Sequence, residues 1–317
     1  MPRRSKQGEP EAIRLRIIGL LTDFQQHLER DDLRAQVKAL IPVYYNLRDL
    51  GSSLKGLTNA RSGRDRILRY LQKYSAIVLK GDELMVVSGI SDYARRVREL
   101  RVEFGWQILS GVTAQEQKKD EQAEGLELEV FETLPKMFPD DYLLLNDVQD
   151  RDAAFRWNIA NEIRKEKASV QSKVLKFLQS NVGKPVTGEE LRYVTGDKTE
   201  WARRTRELRT EEGWSVVTKS TGRPDLPIGV YLLESKKQSL PHDREIPDRI
   251  RRTVLKRDEY NCKDCGWSRT QWNVDDPRHL EVHHRKHHAR GGGNEADNLK
   301  AVCNICHDEI HAKERLA

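Results

Sequence analysis

Apolar residues in the first sixty positions recur at helical spacing. Ile13, Ile17, Leu20, Leu21 and Phe24 form one stripe, and Leu33, Val37, Leu40, Ile41 and Tyr44 form a second. The Gly51-Ser52-Ser53 stretch then breaks the pattern. A helical hairpin is predicted over residues 1–60, as a packing or dimerisation element. Downstream, the pattern duplicates. ILRYLQKY followed by GDELMVVSGISDYARRVRELRVEFGWQI is answered by VLKFLQSN followed by GEELRYVTGDKTEWARRTRELRTEEGWSV. Ile67 pairs with Val174, Gly81 with Gly188, Leu84 with Leu191, Arg95 with Arg203 and Trp106 with Trp214.

Each copy predicts the same elements: a helix, a short helix opening at a Gly-acid pair, a glycine turn and a basic third helix. A Gly-Trp strand follows, and a second strand returns at Tyr142-Leu143-Leu144-Leu145 in one copy and Val230-Tyr231-Leu232-Leu233 in the other. The copies are expected over residues 61–150 and 169–236, joined by a charged helix over 151–168. An acidic stretch, residues 115–132, interrupts the first strand pair and is expected to be a solvated loop. Residues 237–249, with Pro241 and Pro247, read as a linker before a last module at 250–317. The expected class is therefore α+β and multidomain.

Composition narrows this picture. Of 317 residues, 37% are hydrophobic and 33% charged, which suits several small domains better than one large core. The net charge of +6 and pI near 9.0 suit a polyanionic partner, but only mildly, so placement of the basic residues must decide. The apolar run at residues 17–21 is too short to cross a membrane, and a cytoplasmic protein is expected.

Three helices and a two-stranded wing resemble the winged helix-turn-helix class. That resemblance implies double-stranded DNA as partner, with Arg95, Arg96 and Arg98 of the first copy and Arg203, Arg204 and Arg206 of the second as contact candidates. A competing reading is internal pairing, because Glu99 and Glu207 stand four residues after Arg95 and Arg203.

The four cysteines form two C-x-x-C pairs, Cys262 with Cys265 and Cys303 with Cys306, with 37 residues between the pairs. Such paired thiols predict a closed tetrahedral zinc site with a structural role. Histidines crowd the same module: His283 and His284 at a strand end, then a glycine turn at 291–293, Asn294, Asn298, and His307 with His311 one helical turn later. The segment LEVHHRKHHARGGGNEADNLKAVCNICHDEIHAKE resembles the HNH, or ββα-metal, nuclease family. Its His-His form with a later His-x-x-x-His is similar to the colicin-type toxin nucleases, where other members carry Asp-His.

The resemblance implies a general base at His284 and a supporting role for Asn298. His283, His307 and His311 would hold one divalent ion, with Mn, Ni, Co or Zn suiting imidazoles better than Mg. Arg285, Lys286, His287 and Arg290 flank these residues as phosphate contacts or as an exposed polar loop; His27, His242 and His279 receive no role. The whole arrangement resembles a restriction enzyme, sequence-specific or directed at methylated DNA. The sequence also allows two alternatives: a DNA-binding regulator with a structural zinc module, and a phage or mobile-element nicking nuclease. One metal centre hydrolyses one strand, so a double-strand break implies a homodimer.

Overall fold

The structure, a computed structural model, describes residues 5–29, 31–57, 59–123, 134–239, 245–271, 276–287 and 291–316. It opens on two antiparallel helices, α1 (Pro10–Leu28) and α2 (Leu33–Ser52). Carboxylates of Glu9 and Asp32 cap them by accepting from the backbone N–H of Ala12 and Ala35. Ile13, Ile17 and Val43 close the seam between the helices. The stripe running from Leu33 to Tyr44 does not join that seam; its side chains stay exposed.

The first repeat follows as α3 (Gly63–Lys73), β1 (Val78–Lys80), α4 (Gly81–Ser88), α5 (Tyr93–Arg98), a π turn (Glu99–Glu103) and β2 (Trp106–Ser110). After β2 come α6 (Gly111–Ala123), β3 (Asp141–Gln149) and α7 (Ala153–Lys165). The second repeat comprises α8 (Val170–Gln179), β4 (Val186–Thr187), α9 (Gly188–Val194), α10 (Trp201–Thr210), β5 (Trp214–Val217) and β6 (Val230–Gln238). Each repeat builds an antiparallel three-stranded sheet in the same order, β1-β3-β2 and β4-β6-β5. Each carries the same register shift, between Trp106 and Ile108 in one and between Trp214 and Val216 in the other.

Equivalent side chains fill both cores: Ile67 and Val174, Leu71 and Leu178, Leu84 and Leu191, Leu100 and Leu208, Ile108 and Val216. Burying each such side chain contributes about 1.5–3 kcal/mol, which explains why these positions hold their apolar character in both copies.

The chain divides into two compact units, Met1–Val112 with Met137–Ala154 and Thr113–Lys136 with Phe155–Ala317. The segment expected to be a solvated loop is helical as far as Ala123, and residues 124–133 lie outside the described residues. From Thr113 onward α6 belongs to the second unit, where it packs on the second repeat. Glu116 accepts from Trp201 Nε1 at 2.7 Å, Gln117 Nε2 donates to the Tyr231 hydroxyl at 3.2 Å, and Asp120 pairs with Arg206 at 3.0 Å. Acidic character here serves pairing with α10 rather than solvation. The connecting helix α7 likewise packs, with Ala160 and Ile163 in the second repeat's core.

The last module consists of α11 (Asp248–Arg257), β7 (Leu280–His284), β8 (Leu299–Cys303) and α12 (Asn304–Leu316). The supposed linker is partly structure. β6 extends to Gln238, Ile246 is fully buried in the module's core, and Asp248 forms a buried ion pair with Arg209 of α10. Of the linker's remainder, residues 240–244 lie outside the described residues.

Candidate active site

The C-terminal module has little apolar material: Ile246, Val254, Leu255, Val282, Leu299 and Ala301 in one cluster, Trp267 and Val302 beside the cysteines in another. A core this small needs a second source of stability. The four cysteine sulfurs lie within 4.8 Å of one another, and Cys265 Sγ is 3.8 Å from Cys303 Sγ. Zinc–thiolate bonds of about 2.3 Å in a tetrahedron require sulfurs roughly 3.8 Å apart, so the spacing fits zinc. Burial pushes the Cys262, Cys303 and Cys306 thiols upward. Backbone N–H groups of Cys265, Cys303 and Asp264 outweigh this at Cys262 and draw it down to about 7, whereas Cys303 and Cys306 remain raised. A dication is what makes four neighbouring thiolates compatible.

The histidines come together as sharply. β7 delivers His283 and α12 delivers His307 and His311, all three buried. His283 Nδ1 lies 3.1 Å from His307 Nε2, which lies 2.9 Å from His311 Nε2. Metal–nitrogen bonds of about 2.1 Å place ligand nitrogens at roughly this separation. Neutral rings meeting nitrogen to nitrogen need a proton or a cation between them.

Two carboxylates turn these rings. Glu281 meets His307 Nδ1 and sits 3.1 Å from His279 Nε2. Burial alone would raise the Glu281 carboxyl, but hydrogen bonds from the two rings hold it well below the usual range. An ionised carboxylate only accepts, so the proton of His307 stays on Nδ1 and its Nε2 lone pair faces the cluster. Glu314 acts alike on His311 Nδ1 at 3.1 Å, and meets His287 Nε2 at 2.8 Å. Neither carboxylate was singled out from sequence, although Glu281 shares a strand face with His283 and Glu314 lies three residues after His311. His279, assigned no role there, is buried and raised. Burial opposes its charge, yet Glu281 and Glu234 outweigh that effect.

His284 is fully buried and lies 2.8 Å, through Nε2, from Asn294 Oδ1. Asn294 Nδ2 donates to the Glu245 carbonyl at 2.8 Å, which fixes the amide with its oxygen toward the imidazole. An oxygen acceptor there puts the proton on Nε2 and makes Nδ1 the basic nitrogen. Asn298 pins the loop between β7 and β8. Its Nδ2 donates to the carbonyls of Lys286 and Gly293 at 2.9 and 2.8 Å, and its Oδ1 accepts from Lys286 N at 3.0 Å. Gly292 is required for this closure, since a Cβ there would stand 1.8 Å from the Lys286 carbonyl oxygen. A cavity of about 470 Å³ opens at His307 and His311, walled also by Lys237 and Ser239 of the second repeat.

The arginines divide. Arg95 and Arg96 clamp Glu99 at 3.3 and 2.7 Å, and Arg203 and Arg204 clamp Glu207 at 2.7 and 2.8 Å, as the competing reading allowed. Arg203 still exposes 63% of its side chain, and Arg98 is also exposed. Arg206 is a correction: its pairing with Asp120 leaves the side chain 14% exposed and turned toward α6. Arg285 and Lys286 are exposed on the β7–β8 loop, and Arg290 lies outside the described residues. His287, expected at phosphate, is held by Glu314 beside the His283 ring, 5.5 Å between centroids.

Comparison with known proteins bears on both parts of the chain. Residues 262–313 match the HNH endonuclease family. Residues 64–145 and 171–234 match the KpnI N-terminal domain, so that match takes in both copies of the repeat. No curated protein and no solved structure matches the chain. The C-terminal module is an HNH domain, and the repeats are similar to a domain of restriction-enzyme type. No helix among the described residues is long and apolar enough to cross a membrane.

Proposed function

We propose that this chain is a metal-dependent DNA endonuclease in which two winged-helix repeats select the site and the HNH module cuts. The observation that carries this reading is the meeting of three buried imidazole nitrogens at 2.9–3.1 Å on the β7–α12 scaffold, one residue from a fourth imidazole held by Asn294.

His283 Nδ1, His307 Nε2 and His311 Nε2 would hold one divalent ion, of Mn, Ni, Co, Zn or Mg. Such an ion supplies Lewis-acid stabilisation of charge developing on the scissile phosphate and its leaving oxygen. His284 takes the proton of the attacking water on Nδ1, a task suited to a neutral imidazole near pH 7. Asn294 keeps that ring in the required tautomer, and Asn298 holds the loop that carries Arg285 and Lys286 to the phosphates on either side. The cysteine site holds a structural zinc. In the repeats, α5 and α10 are the third helices, with Arg95, Arg98 and Arg203 as exposed arginines that face DNA. The buried imidazole cluster weighs against a purely structural zinc platform, which has no use for it.

Incubation of supercoiled plasmid, methylated and unmethylated, with purified protein in Mn, Ni or Mg tests this. Cleavage of at least one substrate, abolished by EDTA and restored by added metal, is expected. Intact plasmid under every metal, or cleavage indifferent to EDTA, would overturn the reading.

A further inference from the structure

The helical hairpin α1–α2 lies outside both family matches and exposes an apolar stripe on α2 with further apolar side chains on α1. On α2, Leu33, Val37, Leu40, Tyr44 and Leu47 are spaced 4-3-4-3 and are 39–75% exposed. That spacing is the seam of a coiled coil, in which such side chains insert between those of a facing helix. The residues of α2 that meet α1, including Val43 and Leu50, lie roughly 100° away around the helix. On α1, Ile18, Leu21 and Leu28 are 47–62% exposed and are displaced in the same sense from the buried Ile13 and Ile17. In an antiparallel pair, equal rotations from the shared seam bring both stripes to one side of the hairpin.

The area decides what this face is for. Eight such side chains present on the order of 800 Å² of largely apolar surface, more than the few hundred Å² that monomers ordinarily leave in one patch. It equals the roughly 800 Å² per partner of a standard interface. We infer that the occupant is a second copy of this chain, the two hairpins packing face to face as a four-helix bundle about a two-fold axis. A two-fold contact needs a self-complementary surface, and a face of Leu, Ile, Val and Tyr without a charge at any of the eight positions meets that need. The consequence for cleavage, though not the interface itself, rests on the nuclease reading. Two HNH modules would then act on one DNA molecule, each hydrolysing one strand.

Sedimentation velocity of the full chain without DNA tests the interface directly. The wild-type chain is expected to sediment at twice the 36.8 kDa of one chain at tens of micromolar. The Val37→Glu/Tyr44→Glu double variant is expected to lose the dimer, with unchanged circular dichroism because both side chains are exposed. Val148→Glu, at a 68% exposed position off this face, should leave the dimer intact. A monomeric wild-type chain, including one whose hairpin binds phospholipid vesicles instead, overturns the inference. So does a dimer that survives the double substitution. A dimer that cleaves no DNA would leave the interface standing and remove the nuclease reading alone.

Discussion

Asn298 shows how one side chain can hold a loop in place. It makes three hydrogen bonds across the β7–β8 loop at 2.8–3.0 Å, in a place where Gly292 leaves no room for a side chain. Asn298→Ala is expected to cost about 1–3 kcal/mol of module stability and to lower the cleavage rate about 10–100-fold, read by thermal melting and by plasmid cleavage. Glu121 is a different case. Its burial on α6, near Asp248, pushes its carboxyl up to about 7 despite the nearby Arg209 guanidinium. A carboxyl whose folded pKa exceeds its unfolded one contributes stability below the unfolded value and loses it as pH rises through the folded one. Glu121→Gln should therefore match the wild-type chain near pH 4 and exceed it above pH 7 by on the order of 2 kcal/mol, in denaturant titrations across that range. A variant less stable at both ends would contradict this.

At the scale of elements, the cysteine site stands in for a core. The apolar clusters of the HNH module are small, so chelation of zinc is expected to unfold it while the repeats, with their own cores, remain folded. Limited proteolysis after treatment with a strong chelator should cut within residues 250–317 first, and Cys303→Ser should behave alike. Both candidate metal clusters were legible as residue sets because ligands must recur at fixed spacing, three apart within each cysteine knuckle and four apart on α12. The carboxylates behind the histidines were not singled out, since Glu281 and Glu314 look like any charged residue until β7 and α12 face each other. The insertion was misjudged for a related reason. Its acidic side chains match a solvated loop as well as they match the guanidinium and indole groups of Arg206 and Trp201, and only packing distinguishes the two. The stripe on α2 was legible only as part of a packing or dimerisation element, because periodicity marks an apolar face without saying what covers it.

The whole molecule joins a duplicated unit, similar to the KpnI N-terminal domain, to an HNH domain. The duplication was visible because the cores of the two copies repeat residue for residue, and even the register shift after each Gly-Trp recurs. Which arginines point outward was not visible, because Glu99 and Glu207 clamp one pair each while Asp120 takes Arg206. Within the second unit, the buried Arg209–Asp248 pair ties the third helix of the second repeat to the first helix of the HNH module. Arg209→Ala would leave Asp248 buried without its partner, at an expected cost of about 3–5 kcal/mol read as a lowered midpoint in urea. In the proposed function, the histidine cluster, with His284 as base, hydrolyses phosphodiester bonds. Its most direct test is the single-turnover cleavage rate of His284→Ala beside the wild-type chain, at saturating metal and with folding verified by circular dichroism. A loss of about 10²–10⁴-fold is expected, with DNA binding unchanged; a variant that cuts at the wild-type rate would contradict the role of His284.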